Sequence, residues 1–325
     1  MPSGVFKAPS SSANVGPGYD VFSIALDNPY IVVKMNVEDG EGITVVSKGK
    51  YAAELSSNPQ ENTGARAVHS LLMRKGLRKK VEITYEAGIP PRKGLGSSGA
   101  EAAAAVYGLD RLLGLGLTAV ELVEAGAAAE PGCHPDNVAA SVFGGFVACL
   151  RDVEGITVYR LKPPADLGVL VVVPNVEKKS TLEARKAVPE HLGLKTHVEL
   201  NARVAIAAMA LSNADLNTFF RAVSQDPFVE YNRANAGVYG QGVDGKKLME
   251  EKMRLLKKYN VAEVVSGAGP SRVLFFKLSE NTQPAGYRPV DAAAAEVVSQ
   301  LEKNGYKILE MIETRPNTTG CVETA

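Results

Sequence analysis

Tryptophan is absent from this 325-residue chain, histidine occurs four times, cysteine three times, and aromatic residues make up 6% of it. Cys133, Cys149 and Cys321 are odd in number and lack CxxC spacing, and no HExxH-like metal pattern is present. These absences argue against a disulfide framework and against a zinc site. Net charge is lacking too, since 36 basic residues balance 36 acidic ones and no basic run is interleaved with aromatics. Nucleic acid and anionic membranes are therefore not expected as partners. There is no apolar run of about 18 residues, and the opening MPSGVFKAPSSSANVG has no signal-peptide core. A reducing, cytoplasmic location is expected.

At 45% hydrophobic and 22% charged, the chain has the composition to bury a sizeable core in one large domain or two joined ones. The pattern reads α+β. YIVVKMNV and GITVVS are strand-like, RAVHSLLMRKGL is helical, and KKVEITYEAG alternates with Val81, Ile83 and Tyr85 on one face. Helices are predicted over 101–115 and 118–130, and strands for VFGGFVACLR and the fully apolar LGVLVVVPN. Past residue 175 the pattern turns mostly helical, including one long VELNARVAIAAMALSNADLNTFFRAVS stretch. Strand–helix alternation returns with AEVVSG, SRVLFFKL, PVDAAAAEVVSQLEKNG and YKILEMIET. This predicts two parts, 1–175 and 176–325, and the absence of a Pro/Ser-rich linker predicts a shared interface between them.

The densest signal is KGLGSSGAEAAAA, 93–105. Its glycines remove the β-carbons that would hold a ligand off the backbone, and the helix that follows points unpaired N–H groups and a positive dipole end outward. Such a place attracts phosphate. Arg92 and Lys93 add charge, and Ser97 and Ser98 add hydroxyls. It is not a Walker A loop, because GxxxxGK[ST] is absent; a serine cap on a buried helix is the bland alternative. Three more segments are as rich in Gly, Ser, Asn and Asp: SSSANVGPGYD at 10–20, EPGCHPDNVAASVFGG at 130–145 and SGAGPSRVLF at 266–275.

Taken in chain order, the four segments resemble the motifs of the GHMP small-molecule kinases, and in detail those of homoserine kinases. SSANVGPGYD is similar to that family's SSANLGPGFD, HPDNVAASVFGG to its HPDNVAPAxxGG, STLEARKAVP to its STxEARxxLP, and the tail RPNTTGCVETA to its closing strand. The resemblance spans essentially the whole chain. It implies ATP- and magnesium-dependent phosphorylation of L-homoserine on the threonine pathway. It also implies the GHMP kinase fold, with an N-terminal domain like ribosomal protein S5 and a ferredoxin-like C-terminal domain. A mevalonate or sugar kinase of the same fold, or a non-catalytic ATP and ligand sensor, is the alternative. A homodimer is left open.

The resemblance also assigns sites. Lys93, Gly94, Leu95, Gly96, Ser97, Ser98 and Gly99 match the triphosphate loop, and Asn62 falls where the family contacts adenine. Ser98 and Glu130 match magnesium ligands, although only four positions separate Glu130 from His134, a shorter interval than the family's. Arg185 and Arg233 match a carboxylate clamp, a task suited to the planar guanidinium fork. Asp20 and Asp136 match the amino end. Asn14, His134 and Asn137 line the reacting side, where Asn137 orients the hydroxyl without removing its proton. No catalytic base is assigned.

Overall fold

The computed structural model describes residues 2–176, 181–240, 242–282 and 286–324. Ser180, which opens the STLEARKAVP segment, lies outside them. In chain order the elements are β1 (Ser3–Ala13), β2 (Phe22–Asp39), β3 (Gly42–Lys48), α1 (Thr63–Lys75), β4 (Lys79–Ala87), α2 (Ser97–Leu113), α3 (Ala119–Ala127), α4 (Asp136–Phe143), β5 (Phe146–Asp152) and β6 (Gly155–Leu161). There follow β7 (Leu167–Pro174), α5 (Thr181–Lys186), α6 (Leu194–Ser212), α7 (Leu216–Val223), α8 (Val229–Asn235), α9 (Gly245–Tyr259), β8 (Ala262–Val265), β9 (Arg272–Lys277), α10 (Pro289–Lys303), β10 (Ile308–Thr314) and β11 (Val322–Thr324). None of the described helices is long and apolar enough to cross a membrane.

The larger sheet runs β11-β1-β2-β4-β3, with β5 paired to the start of β2 and β6 to β5. The alternation read in β4 is realised: Val81, Ile83, Tyr85 and Ala87 are buried, while Glu82 and Glu86 face solvent, as the two-residue period of a strand requires. Helix α2 packs against β1, β2, α1, α3 and α4, which explains its alanines. Ala100 and Ala102 to Ala105 are fully buried, so the helix is surrounded on every side. Small side chains let its neighbours approach, and larger ones would overpack at a cost of about 1–3 kcal/mol.

The second sheet, β10-β7-β9-β8, is antiparallel throughout. Strand β7 shows why LGVLVVVP is apolar without a break. Leu167, Val169, Val171 and Val173 join the main core, whereas Leu170 and Val172 join a second cluster built with Val290, Ala293 and Val297 of α10. Both faces are covered, so no polar alternation is possible.

Two elements cross the expected two-part division: β7 pairs with β9 and β10, and β11 returns to pair with β1. The long helix expected over 198–224 is broken. Asp215 accepts from the Thr218 amide at 3.0 Å and starts α7 anew, a local cap competing with helix continuation. VFGGFVACLR likewise splits, with Phe143 ending α4 and Phe146 starting β5 around the Gly144–Gly145 turn.

Candidate active site

The four polar segments found in the sequence are bonded to one another, 130–145 through Asn137 and Ser11 and the other three directly. The Gly267 amide donates to Ala13 O at 3.1 Å, and the Ser271 amide to Lys93 O at 3.3 Å. Ser266 Oγ lies 2.8 Å from Ser12 Oγ and 2.7 Å from Gly94 O. Together they enclose a cavity of about 460 Å³.

One end is made of backbone. Gly94 and Gly96 have φ of +80° and +66°, and a β-carbon on them would lie 2.3 Å from Ser266 O and 2.2 Å from Ser11 Oγ respectively. Only glycine meets both the left-handed conformation and the close approach. Helix α2 starts immediately after, at Ser97, with its N-terminus on the cavity. The arrangement is that of an anion site. Asn62 caps α1, accepting from the Ala65 amide at 2.9 Å and from Tyr85 Oη at 3.3 Å, and donating to Glu101 Oε2 at 3.3 Å. Its side chain is therefore largely committed within the protein.

The other end is made of charged side chains. Arg185 forms a two-pronged pair with Asp20, Nη1 to Oδ2 at 2.9 Å and Nη2 to Oδ1 at 2.7 Å, and its Nη1 also donates to Tyr19 Oη at 2.6 Å. Arg233, only 2% exposed, donates from Nε to Ala184 O at 3.0 Å and from Nη1 to Gly267 O at 3.3 Å. Both guanidinium carbons lie close to the Tyr19 ring, at 5.2 and 5.1 Å from its centroid. Tyr19 was not singled out from the sequence, although it lies inside SSSANVGPGYD and beside Asp20. Asn14, Val15 and Asp20 all have positive φ, tolerable for Asn and Asp but strained for a β-branched valine. Asn14 holds this bend by accepting from the Asp20 amide at 3.3 Å and donating to Gly267 O at 2.8 Å.

Asn137 joins the two ends. Its Oδ1 accepts from Ser11 Oγ at 2.9 Å and would lie 2.8 Å from a β-carbon on Gly96, so it abuts the glycine loop. Its backbone N–H donates to Asp136 Oδ1 at 2.8 Å, and its side-chain Nδ2 lies 3.4 Å from the same oxygen. Asp136 is 4% exposed, and burial pushes its carboxyl up to about 7, against the stabilising Asn137 amide. His134 Nδ1 stands 3.6 Å from Asp20 Oδ1; burial holds it below the ordinary histidine range, with Asp20 opposing.

The short interval before His134 is a 3-10 turn, Pro131–Cys133, entered from Glu130. It still delivers Glu130 to the loop, where Ser98 Oγ donates to Glu130 Oε2 at 3.1 Å. A hydroxyl and a carboxylate side by side are hard oxygen donors of the kind magnesium takes, with phosphate oxygens and water supplying the rest. Among the described residues no cluster of three or more His, Cys, Asp or Glu side chains forms a metal cage.

Of the residues assigned by resemblance, Asn14, Asp20, Asn62, Gly94, Leu95, Gly96, Ser97, Ser98, Glu130, His134, Asp136, Asn137, Arg185 and Arg233 all line this one cavity. Lys93 and Gly99 do not. The Lys93 ammonium is buried and donates to Val176 O at 2.7 Å, and Gly99 packs inside α2 against Asn137.

Residues 62–145 match the GHMP kinases N terminal domain. The homoserine kinase of Methanococcus maripaludis is 37% identical over 270 residues, covering 81% of this chain and 84% of its own. This chain belongs to the homoserine kinase family. The crystal structure of homoserine kinase from Cytophaga hutchinsonii superposes with a TM-score of 0.80 at 25% identity, over 100% of this chain and 98% of that one. Mevalonate diphosphate decarboxylase from Staphylococcus aureus, 15% identical with a TM-score of 0.71 over 99% and 98% of the two chains, shares the fold alone. The α+β GHMP kinase fold expected from the motifs is thus the fold observed, and the cavity sits where the four Gly-, Ser- and Asn-rich segments converge.

Proposed function

We propose that this protein transfers the γ-phosphoryl group of ATP to the side-chain hydroxyl of L-homoserine, yielding O-phospho-L-homoserine, ADP and a proton. The observation that carries this reading is the place of the Asn137 side chain, whose Oδ1 abuts the glycine loop and whose Nδ2 lies 3.4 Å from Asp136 Oδ1. A hydroxyl held by Asn137 lies between a phosphate site and an amino-acid site, and such positioning supplies much of the rate in phosphoryl transfer.

Homoserine presents a carboxylate, an ammonium and a hydroxyl. Arg185 and Arg233 receive the first, Asp20 and Asp136 the second, and Asn137, with Asn14 and His134 beside it, the third. The amides of Gly94 to Ser98 and the α2 dipole hold the triphosphate, and the base lies towards Asn62 at the start of α1. Magnesium fits Ser98 and Glu130, and when bound it supplies positive charge against the transferring group. Asn137 cannot accept a proton, and no side chain is assigned as a base; alignment and fixed dipoles carry the catalysis. The parts 1–175 and 176–325 are proposed as the ATP-binding and the C-terminal domain, exchanging β7 and β11 across their boundary.

A coupled ADP-release assay with ATP and magnesium tests this against homoserine, mevalonate, galactose, shikimate and serine. Homoserine is expected to have the highest kcat/KM, because an analogue that leaves buried charges unpaired loses orders of magnitude. Equal turnover of mevalonate would remove the assignment, and homoserine binding without ADP release would make the protein a sensor.

A further inference from the structure

Glu101 is a carboxylate in the wall of a site meant for a polyanion. It lies one turn into α2, lines the cavity and is 7% exposed. Ser97 Oγ donates to its Oε1 at 3.1 Å, and Asn62 Nδ2 donates to its Oε2 at 3.3 Å. Tyr85 Oη extends the chain of bonds by donating to Asn62 Oδ1 at 3.3 Å. The network therefore links the core of the large sheet, the cap of α1 and the first hydroxyl of the glycine loop. Tyr85 from β4 and Glu130 after α3 act on it, and the same cavity wall carries Glu54, Glu61, Arg92 and Asp136. Acidic groups predominate. Burial, opposed by the Ser97 bond and reinforced by Glu130, pushes Glu101 up to about 7.

A serine hydroxyl has one proton to give. While Glu101 is ionised, Ser97 spends that proton on Oε1 and can offer only lone pairs to the cavity, where a triphosphate brings oxygens. When Glu101 is neutral, its own O–H donates to Ser97 Oγ, Oε2 still accepts from Asn62, and the Ser97 proton is released towards a phosphate oxygen. Every polar atom keeps a partner in the second arrangement, and the direction of one O–H is reversed.

We propose that Glu101 is a positioning residue that is neutral in the nucleotide complex, taking a proton from solvent and turning Ser97 from acceptor to donor towards the cavity. This rests on the reading that Gly94 to Ser98 hold the phosphates of ATP. It adds a proton to nucleotide binding and assigns a role to a carboxyl outside the groups given to homoserine, phosphate and magnesium.

Calorimetric titration of the full chain with magnesium and ATP at pH 8.5, in buffers of different ionisation enthalpy, reads that proton directly, since the nucleotide is already fully ionised there. About half a proton or more is expected per nucleotide, with affinity falling towards a limit of about tenfold per pH unit between pH 7 and 9. In Glu101→Gln the amide donates to Ser97 and accepts from Asn62 at every pH, so uptake should vanish and affinity should stay within about twofold of its neutral-pH value across the range. Should that variant fail to fold, the infrared difference spectrum of the wild-type chain with and without nucleotide decides. It should gain a protonated-carboxyl C=O band that shifts when glutamate, and not aspartate, carries carbon-13. Nucleotide binding without uptake, uptake that persists in Glu101→Gln, or a band that follows aspartate would overturn the proposal. A wild-type chain giving no binding heat and no nucleotide-dependent thermal shift would overturn the phosphate-loop reading and this inference with it.

Discussion

The two ends of the cavity solve opposite problems with opposite materials. The glycine loop presents mainly backbone, with amides fixed by Gly94, Gly96 and the first turn of α2 and the hydroxyls of Ser97 and Ser98 beside them. The amino-acid end is nearly all side chain, and its charges are already engaged: Arg185 with Asp20, Arg233 with the carbonyls of Ala184 and Gly267. Backbone donors are rigid and tolerate any nucleotide with the right phosphates. Paired side chains make a different demand, because an incoming carboxylate competes with Asp20 for Arg185, and only a ligand that also offers Asp20 a cation leaves nothing unpaired. On the proposed reading, the phosphate end contributes affinity and alignment, and the charged end contributes choice.

The largest effect should come from breaking the charged end. Removing one partner of a desolvated charge pair costs about 2–5 kcal/mol, so Arg233→Leu is expected to lower kcat/KM for homoserine by roughly one to four decades, with ATP affinity little changed. Arg185→Leu should act likewise, and if both arginines serve one carboxylate, as proposed, steady-state kinetics of the double variant should show less than the sum. The amino alcohol lacking the carboxylate sharpens the comparison: it should be a poor substrate of the wild type and lose far less in either variant. Equal losses on both substrates would mean that Arg233 chiefly holds Ala184 and Gly267 in place.

Breaking the backbone end should cost somewhat less and fall on the other substrate. In Gly96→Ala the new methyl meets Ser11 Oγ at 2.2 Å with φ at +66°. The left-handed conformation costs about 1–2 kcal/mol and overpacking at least about 1 more, so nucleotide affinity should fall by roughly one to two decades. Homoserine binding, followed by calorimetry without nucleotide, should barely move. A parallel loss of homoserine affinity would show that the two ends are mechanically one, through Asn137.

The smallest effect separates the ring of Tyr19 from its hydroxyl. Tyr19→Phe removes one hydrogen bond to Arg185, worth about 0.5–1.5 kcal/mol, and should raise KM for homoserine by less than about tenfold. Tyr19→Ala also removes the ring beside both guanidiniums, worth about 0.5–1 kcal/mol at the half-buried Arg185 and up to about 2 kcal/mol at the buried Arg233, and should raise it further. If both variants behave alike, the ring does not order the arginines.

Much of this was legible in the residues alone because it is local. Glycines before an alanine-rich helix announce a close backbone approach whatever the rest of the chain does. The unbroken LGVLVVVP run announces a strand covered on both faces, and the period of KKVEITYEA announces its buried side. These signals depend on neighbours two to four positions away. The break at Asp215 was missed for the same reason, since an apolar helical period continued through a residue whose own side chain caps a new helix.

What only the tertiary structure decided is which groups meet and which are already spent. Ser11 and Asn137, or Glu101 and Asn62, lie far apart in the chain, and no spacing rule connects them. The sequence shows Lys93 as a cation beside a phosphate loop, but the fold turns it onto the Val176 carbonyl; it shows Glu101 as an ordinary helix acid, but the fold buries it against Ser97. Residue type determines what a group can donate, accept or ionise. Burial and long-range partners determine which of those capacities remain, because desolvation and hydrogen-bond geometry exist only once the chain has closed around them.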